Sequence, residues 1–219
     1  MRLLTSYFHD KERKKEFDFC LERNMENDYI DEILLFYESG DLPKLNDKVK
    51  ILHYDRPTYR DFFEQFKEGE VNVVANTDIF FDESAILMNR VKDHQCYCIT
   101  RHEYDPEQLL PFSSKPQWSQ DVWVMRKKPS KLEVYEYVVA INNLNKKYET
   151  IPFYLGVAGC DNHVAYLLSK NFMLINPYFD INCIHVHENE ERDYNMKYRI
   201  TGQMGSRYGI LKHVKPSRI

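Results

Sequence analysis

Three short stretches bring together side chains that could hold a diphosphate or move a proton. The first is Val73-Val74-Ala75-Asn76-Thr77-Asp78. Its apolar run predicts a strand that delivers Asn76 and Asp78 to its exit, two residues apart and so on one face. Oxygen ligands there suit Mg²⁺ or Mn²⁺, usually held by one or two carboxylates and completed by substrate phosphates. Asn-Thr-Asp is equally ordinary turn chemistry, and the spacing leaves that open. The second stretch is Leu155-Gly156-Val157-Ala158-Gly159-Cys160-Asp161-Asn162. Here Asp161 opens a helix, either as a routine cap or as a carboxylate able to accept a proton from an attacking hydroxyl. The third is Ile184-His185-Val186-His187, where alternation puts both imidazoles on one face, as a divalent chelate requires. Two exposed strand histidines are the plainer alternative.

Trp118-Ser119-Gln120-Asp121-Val122-Trp123 is a fourth candidate, because aromatic faces make platforms for sugars or bases; Trp123, within an apolar run, also reads as core. Arg56 and Arg101 each stand near a predicted strand end, where they could hold phosphate or decorate the surface. No Gly-x-Ser-x-Gly, P-loop or dinucleotide glycine motif occurs, so nothing points to a serine hydrolase, a kinase or a Rossmann dehydrogenase.

The elements that must position these groups follow from the patterning. Strands are predicted over residues 3–8, 31–38, 48–53, 71–75, 95–100, 122–125, 154–157, 172–176 and 181–187. Helices are predicted over 9–27, 58–67, 84–91, 131–147 and 161–170, with a polar loop over 109–120. Strands alternating with helices argue for one α/β domain with a mostly parallel, mixed central sheet flanked by helices.

Composition bounds the rest. The chain has 219 residues, 43% hydrophobic and 14% aromatic, which is enough for a core and excludes disorder. The net charge of −4 conceals a division. Six basic and no acidic side chains follow Asn195, leaving 24 basic against 34 acidic in residues 1–195. So acidic a body is a poor general polyanion binder. The chain therefore reads as a domain over 1–195 and a basic tail over 196–219. Five cysteines, with Cys96 and Cys98 on one face of a strand, read as reduced thiols. No apolar run is long enough to span a membrane, and the charged residues after Phe8 do not suit a secretory signal; both predict a cytoplasmic protein.

Taken in order, these pieces resemble the nucleotide-sugar glycosyltransferases of the GT-A fold. Asn76-Thr77-Asp78 stands where that family usually has its metal-binding Asp-x-Asp. Gly159-Cys160-Asp161-Asn162 stands at its acceptor-side helix, and Phe172–Pro177 followed by His185-x-His187 at its late metal ligand. Asn76-x-Asp78-Ile79-x-Phe81-Asp82, Thr100-Arg101, Gln120-Asp121-x-Trp123 and Asn176-Pro177 are similar to glycosyltransferase-like proteins of bacteria and viruses. The resemblance spans about residues 1–190. It departs at Asn76, which replaces a carboxylate, and at Cys160, where the family often has Glu.

The resemblance implies Mn²⁺ or Mg²⁺ on Asp78 with His185 or His187, and a nucleoside-diphosphate sugar as donor. It implies Asn76 as a neutral oxygen or ribose contact, Arg56 and Arg101 as phosphate contacts, and Asp161 as base, with Asp121 as the second candidate. The acceptor would be a glycan or small molecule. The tail, including Arg207, becomes a candidate lid over the diphosphate. Open beside this are an inactive nucleotide-sugar-binding module, a transferase that modifies nucleic acid, and a nucleotidyltransferase or phosphohydrolase.

Overall fold

A computed structural model describes residues 1–111, 115–129, 137–187, 197–200 and 213–219. The opening half contributes β1 (Arg2–Tyr7), α1 (Lys14–Glu26), β2 (Glu32–Tyr37), β3 (Val49–His53), α2 (Tyr59–Glu64), β4 (Asn72–Ala75), β5 (Ile79–Phe81) and β6 (Gln95–Ile99). Next come β7 (His102–Tyr104), β8 (Leu109–Pro111), β9 (Val122–Met125), β10 (Tyr137–Asn142) and β11 (Tyr148–Pro152). α3 (Cys160–Leu168), β12 (Met173–Ile175), β13 (Cys183–His185) and β14 (Tyr198–Arg199) follow.

The main sheet has seven strands in the order β12-β6-β9-β4-β1-β2-β3. All neighbours run parallel except β9, which is antiparallel to both β4 and β6. The sequence explains why both faces are covered. Leu3, Ile33, Leu35, Val73 and Val124 point to one side, where Phe17, Leu21 and Met25 of α1 cover them. Their neighbours Leu4, Leu34, Phe36, Val74 and Trp123 point to the other side, under Tyr59, Phe62 and Phe63 of α2 and Val164 and Leu168 of α3. Continuous apolar strands of this kind belong to sheets buried on both faces. The result is an α/β architecture with a mixed, mostly parallel central sheet between helices.

Two small sheets complete the chain, in the orders β5-β13-β7-β8 and β11-β10-β14. The helix expected over 131–147 is corrected here. Its described part is an antiparallel hairpin, with Tyr137 opposite Pro152 and Ile141 opposite Tyr148. Burial alternates with period two, burying Val138, Ala140 and Asn142, which is a strand's pattern and not a helix's. The helix expected over 84–91 is a 3-10 helix (Glu83–Arg90), and the loop expected over 109–120 contains β8 and a 3-10 turn (Pro116–Trp118). Residues 154–157 are not a strand; Tyr154 makes only an isolated bridge to Thr58. Cys96 and Cys98 share a face as expected, their sulfurs 3.7 Å apart and buried.

Described parts of the basic tail pack on the body. β14 pairs with β10, Ile200 N–H donates to the Ala158 carbonyl at 2.9 Å, and Pro216 bridges to Asn176. Arg207 and the rest of 201–212 lie outside the described residues. Among the described residues no helix is long and apolar enough to cross a membrane.

Candidate active site

The C-terminal ends of β1, β2 and β4 open into a cleft of about 800 Å³, within the size range of small-molecule sites. Asn76, Asp78, Arg56, Arg101, Asp121, His185 and His187 all line it. The opposite wall is the run Ile151–Ala158 that leaves the β10–β11 hairpin, with Tyr154 beneath the Arg56 guanidinium at 4.4 Å.

Along the floor, charged groups alternate in sign. Arg13 donates from Nε to Glu16 at 2.8 Å and from Nη2 to Asp78 Oδ2 at 2.7 Å. The same Asp78 oxygen lies 3.1 Å from His185 Nε2, while His185 Nδ1 meets Glu103 at 2.6 Å. Arg101 then donates to Glu103 at 2.8 Å and to Asp121 Oδ1 at 3.1 Å. Asn76 closes the row, its amide nitrogen donating to Asp121 Oδ1 at 3.0 Å. A neutral amide suits this position, because a carboxylate at 76 would put two like charges in contact.

The titration of these groups follows from their partners. Burial would raise the Asp78 pKa, but the His185 and Arg13 charges outweigh it and hold the carboxyl well below the usual range. Burial likewise opposes ionised Glu103, yet His185 and Arg101 bring it to about 2. His185 is penalised by burial and rescued by Asp78 and Glu103, which lift its pKa to about 9. It is therefore an imidazolium at neutral pH, with both nitrogens facing carboxylates. For His185 to serve as the expected nitrogen ligand, metal binding would have to release its proton.

Asp161 lies in the first turn of α3, but the cap is Gly159, so the routine-cap reading does not hold. Its Oδ2 accepts from the Gln120 backbone N–H at 3.3 Å, which sets it beside Asp121 at the start of β9. Burial first, and then the Asp121 charge, raise the Asp161 pKa to about 6 against the backbone donors of Asn162 and Gln120. Asp161 is not itself among the residues that line the cleft, whereas Asp121 is. Cys160, in contrast, is buried under the Tyr59 hydroxyl, and burial pushes its thiol up to about 12, which makes it inert. Trp123 belongs to the core, while Trp118 is half exposed, its carbonyl held by Asn162 Nδ2 at 2.7 Å.

Arg13, Glu103 and Glu38 are site residues that the sequence reading did not single out. Glu103 was within reach, because it follows Arg101 by two residues. Arg13 was hidden within the charged run His9–Lys15. Glu38 lines the cleft just past β2, where burial raises its carboxyl to about 7 against the lowering charge of Arg56.

The place that best suits a divalent cation is Asp78: its Oδ1 is buried and accepts no hydrogen bond among the described residues, and Asp78 and His187 both line the cleft. Among the described residues no group of three or more His, Cys, Asp or Glu side chains is arranged to hold a metal ion. The residues fit a cation held mainly by its substrate and one carboxylate, not one caged by protein.

The approach of the tail to the Asp161 turn is tight. A Cβ on Gly159, whose φ is +82°, would come within 2.4 Å of the Ile200 carbonyl oxygen. Gly156 has a similar φ of +78° but open space around it. Gly159→Ala is expected to cost about 2 kcal/mol or more in urea denaturation, and Gly156→Ala about 1 kcal/mol, the cost of left-handed backbone alone. Equal losses would show that the Ile200 contact is yielding.

No family model and no curated protein matches the chain. Solved structures do share its fold. The mannosyltransferase PcManGT from Pyrobaculum calidifontis, in complex with GDP-Man and Mn²⁺, is 12% identical with a TM-score of 0.51 over 88% of this chain and 58% of that one. TarS 1-349 from S. aureus, in complex with UDP-GlcNAc, is 13% identical (TM-score 0.45, 94% of this chain and 59% of that one). The 4-diphosphocytidyl-2C-methyl-D-erythritol synthase of Anaerococcus prevotii is 12% identical with a TM-score of 0.45 over 93% of both chains. The chain thus spans somewhat under three fifths of the length of PcManGT and of TarS 1-349. At these identities the likeness defines the class of fold, a GT-A-like α/β domain.

Proposed function

We propose that this chain transfers a sugar from a nucleoside-diphosphate donor to an acceptor hydroxyl. One observation carries the reading: Asp121 lines a cleft whose floor holds Arg13, Arg101 and the His185 imidazolium, and Asp161, which is not itself among the lining residues, lies against Asp121 with its pKa raised to about 6. Cations stabilise the charge that grows on a departing diphosphate, and a carboxylate with a pKa near 6 accepts the acceptor's proton. Arg101 serves both halves, bonding Asp121 on one side and Glu103 on the other. In this role Arg101 and Asn76 hold Asp121 in place, and Asp121 keeps the Asp161 carboxyl basic. Arg56, stacked on Tyr154, is a contact for donor or acceptor at the cleft wall.

Mn²⁺ or Mg²⁺, bound at Asp78 Oδ1 with His187 beside it, would add charge neutralisation to the diphosphate. The acceptor is a glycan or small molecule, because the acidic body disfavours a nucleic-acid surface. Cys160, an inert thiol in place of a second acceptor-side carboxylate, favours the alternative of a module that binds the nucleotide sugar without turning it over.

Thermal unfolding with a panel of nucleoside diphosphates and their sugars, with and without Mn²⁺, tests the binding half. A ligand at a hundred times its Kd adds about 2.7 kcal/mol, which raises Tm by roughly 5–10 °C in a chain of this size. No shift with any nucleotide under either condition would sink the reading. Release of free nucleotide from the stabilising donor separates transferase from binding module.

A further inference from the structure

Arg13 is the one cation of the floor whose geometry lets it change partners. Its Nε is held by Glu16, a buried carboxylate 2% exposed, which anchors the guanidinium at its root. The Phe17 ring supports it at 4.9 Å. Beyond that anchor the fork makes a single further bond, from Nη2 to Asp78 Oδ2 at 2.7 Å, and Nη1 makes none among the described residues. The side chain is 28% exposed and lines the cleft. A planar fork with its root fixed and an open end is preorganised to take phosphate oxygens two at a time.

Asp78 can tolerate the exchange. Its Oδ2 also faces His185, so departure of Arg13 still leaves the carboxylate paired. Its Oδ1 accepts no hydrogen bond among the described residues, so a cation arriving with a donor gains a ligand without breaking one of these. Asp78 Oδ2 already has two cationic partners, Arg13 and His185, and a divalent cation at Oδ1 would be repelled by both, so departure of Arg13 lessens that repulsion.

We propose that Arg13 is a counter-ion latch: it neutralises Asp78 while the cleft is empty and passes to the donor's diphosphate on binding, freeing Asp78 for the divalent cation. The latch rests on the nucleotide-sugar reading above and deepens it. Arg13 thereby competes with metal in the empty protein and cooperates with it once a diphosphate is present. No covalent step is involved. Arg13 is a positioning and binding residue, and Glu16 is its anchor.

The experiment compares the full chain with Arg13→Gln and Arg13→Lys. Mn²⁺ binding is followed by electron paramagnetic resonance without nucleotide. Binding of the diphosphate picked out by the thermal panel is followed by calorimetry in EDTA and in Mn²⁺. Arg13→Gln is expected to bind Mn²⁺ alone about tenfold more tightly and the diphosphate in EDTA about tenfold more weakly. Arg13→Lys, which keeps the charge and loses the fork, should bind Mn²⁺ like the wild type and the diphosphate weakly. Should Arg13→Gln not fold, Arg13→Lys carries the test through its diphosphate affinity. Unchanged diphosphate affinity in the variants, or weaker Mn²⁺ binding in Arg13→Gln, overturns the latch and leaves the proposed function standing. A wild-type chain that binds no diphosphate overturns both.

Discussion

Asp161→Asn is expected to abolish transfer while sparing donor binding. General-base catalysis is worth about 10²–10⁴ in rate, and kcat should fall by that amount. The pH profile identifies the group. Wild-type activity should rise with pH through about 6, where burial and the Asp121 charge place the Asp161 carboxyl, and then level off. Asp161→Asn should lack that limb. Stability should move in the opposite direction. The folded pKa lies above the unfolded value, so the native state holds this proton more tightly. The resulting stability is present near pH 4 and is lost as pH rises through about 6. Asp161→Asn should therefore match the wild type near pH 4 and exceed it at pH 7.5 by on the order of 2 kcal/mol. A variant that is both inactive and less stable at pH 7.5 would make Asp161 a structural carboxylate, and its role as base would be lost.

Asp78→Asn should have the opposite balance, costing both Mn²⁺-dependent binding and stability. The substitution leaves Arg13 with Glu16 alone and His185 with Glu103 alone. Hydrogen bonds to charged groups are worth about 1.5–3 kcal/mol each, and the surviving partners soften the loss to roughly 2–3 kcal/mol in urea denaturation. Calorimetry should show that any Mn²⁺-dependent gain in diphosphate affinity disappears. Affinity in EDTA should be kept or slightly raised, because Arg13 no longer has Asp78 to hold it. Loss of a developing-charge contact of this kind typically costs 10²–10³ in kcat. If Asp78→Asn retains the full Mn²⁺ effect, the cation lies elsewhere and the assignment of Asp78 fails.

Both predictions depend on contacts far apart in the chain. Arg13 and Asp78 are separated by 65 residues, and Glu103 and His185 by 82. Asp78 was legible because an apolar strand aimed it at a predictable place, the carboxyl end of a central strand. Asp161 was legible because glycines at 156 and 159 marked a turn before a helix. His185 was legible as a site residue by its spacing, but its protonation depends on two carboxylates from other strands. Arg13 was illegible for a different reason: a charged run looks the same whether its members face water or a cleft. The hairpin misread as helix shows the same limit. Tyr137, Val138, Val139 and Ile141 are residues that favour a strand, but the partner that fixes them as one, residues 148–152, lies beyond the segment.

The sequence by itself determined the layered α/β architecture, because strands with apolar residues on both faces leave no other way to bury them. It placed Asn76 and Asp78 at the carboxyl end of a central strand, but Asp121 meets Asn76 only because β9 runs antiparallel to β4, and His185 meets Asp78 only through β13, a strand of a second sheet. Only the tertiary structure decided what each of them is chemically. Charge state, partner and basicity depend on distances of about 3 Å between residues that no local pattern couples. His185 becomes a cation, Asn76 a partner for Asp121, and the Asp161 carboxyl a weaker acid, through neighbours that folding alone supplies.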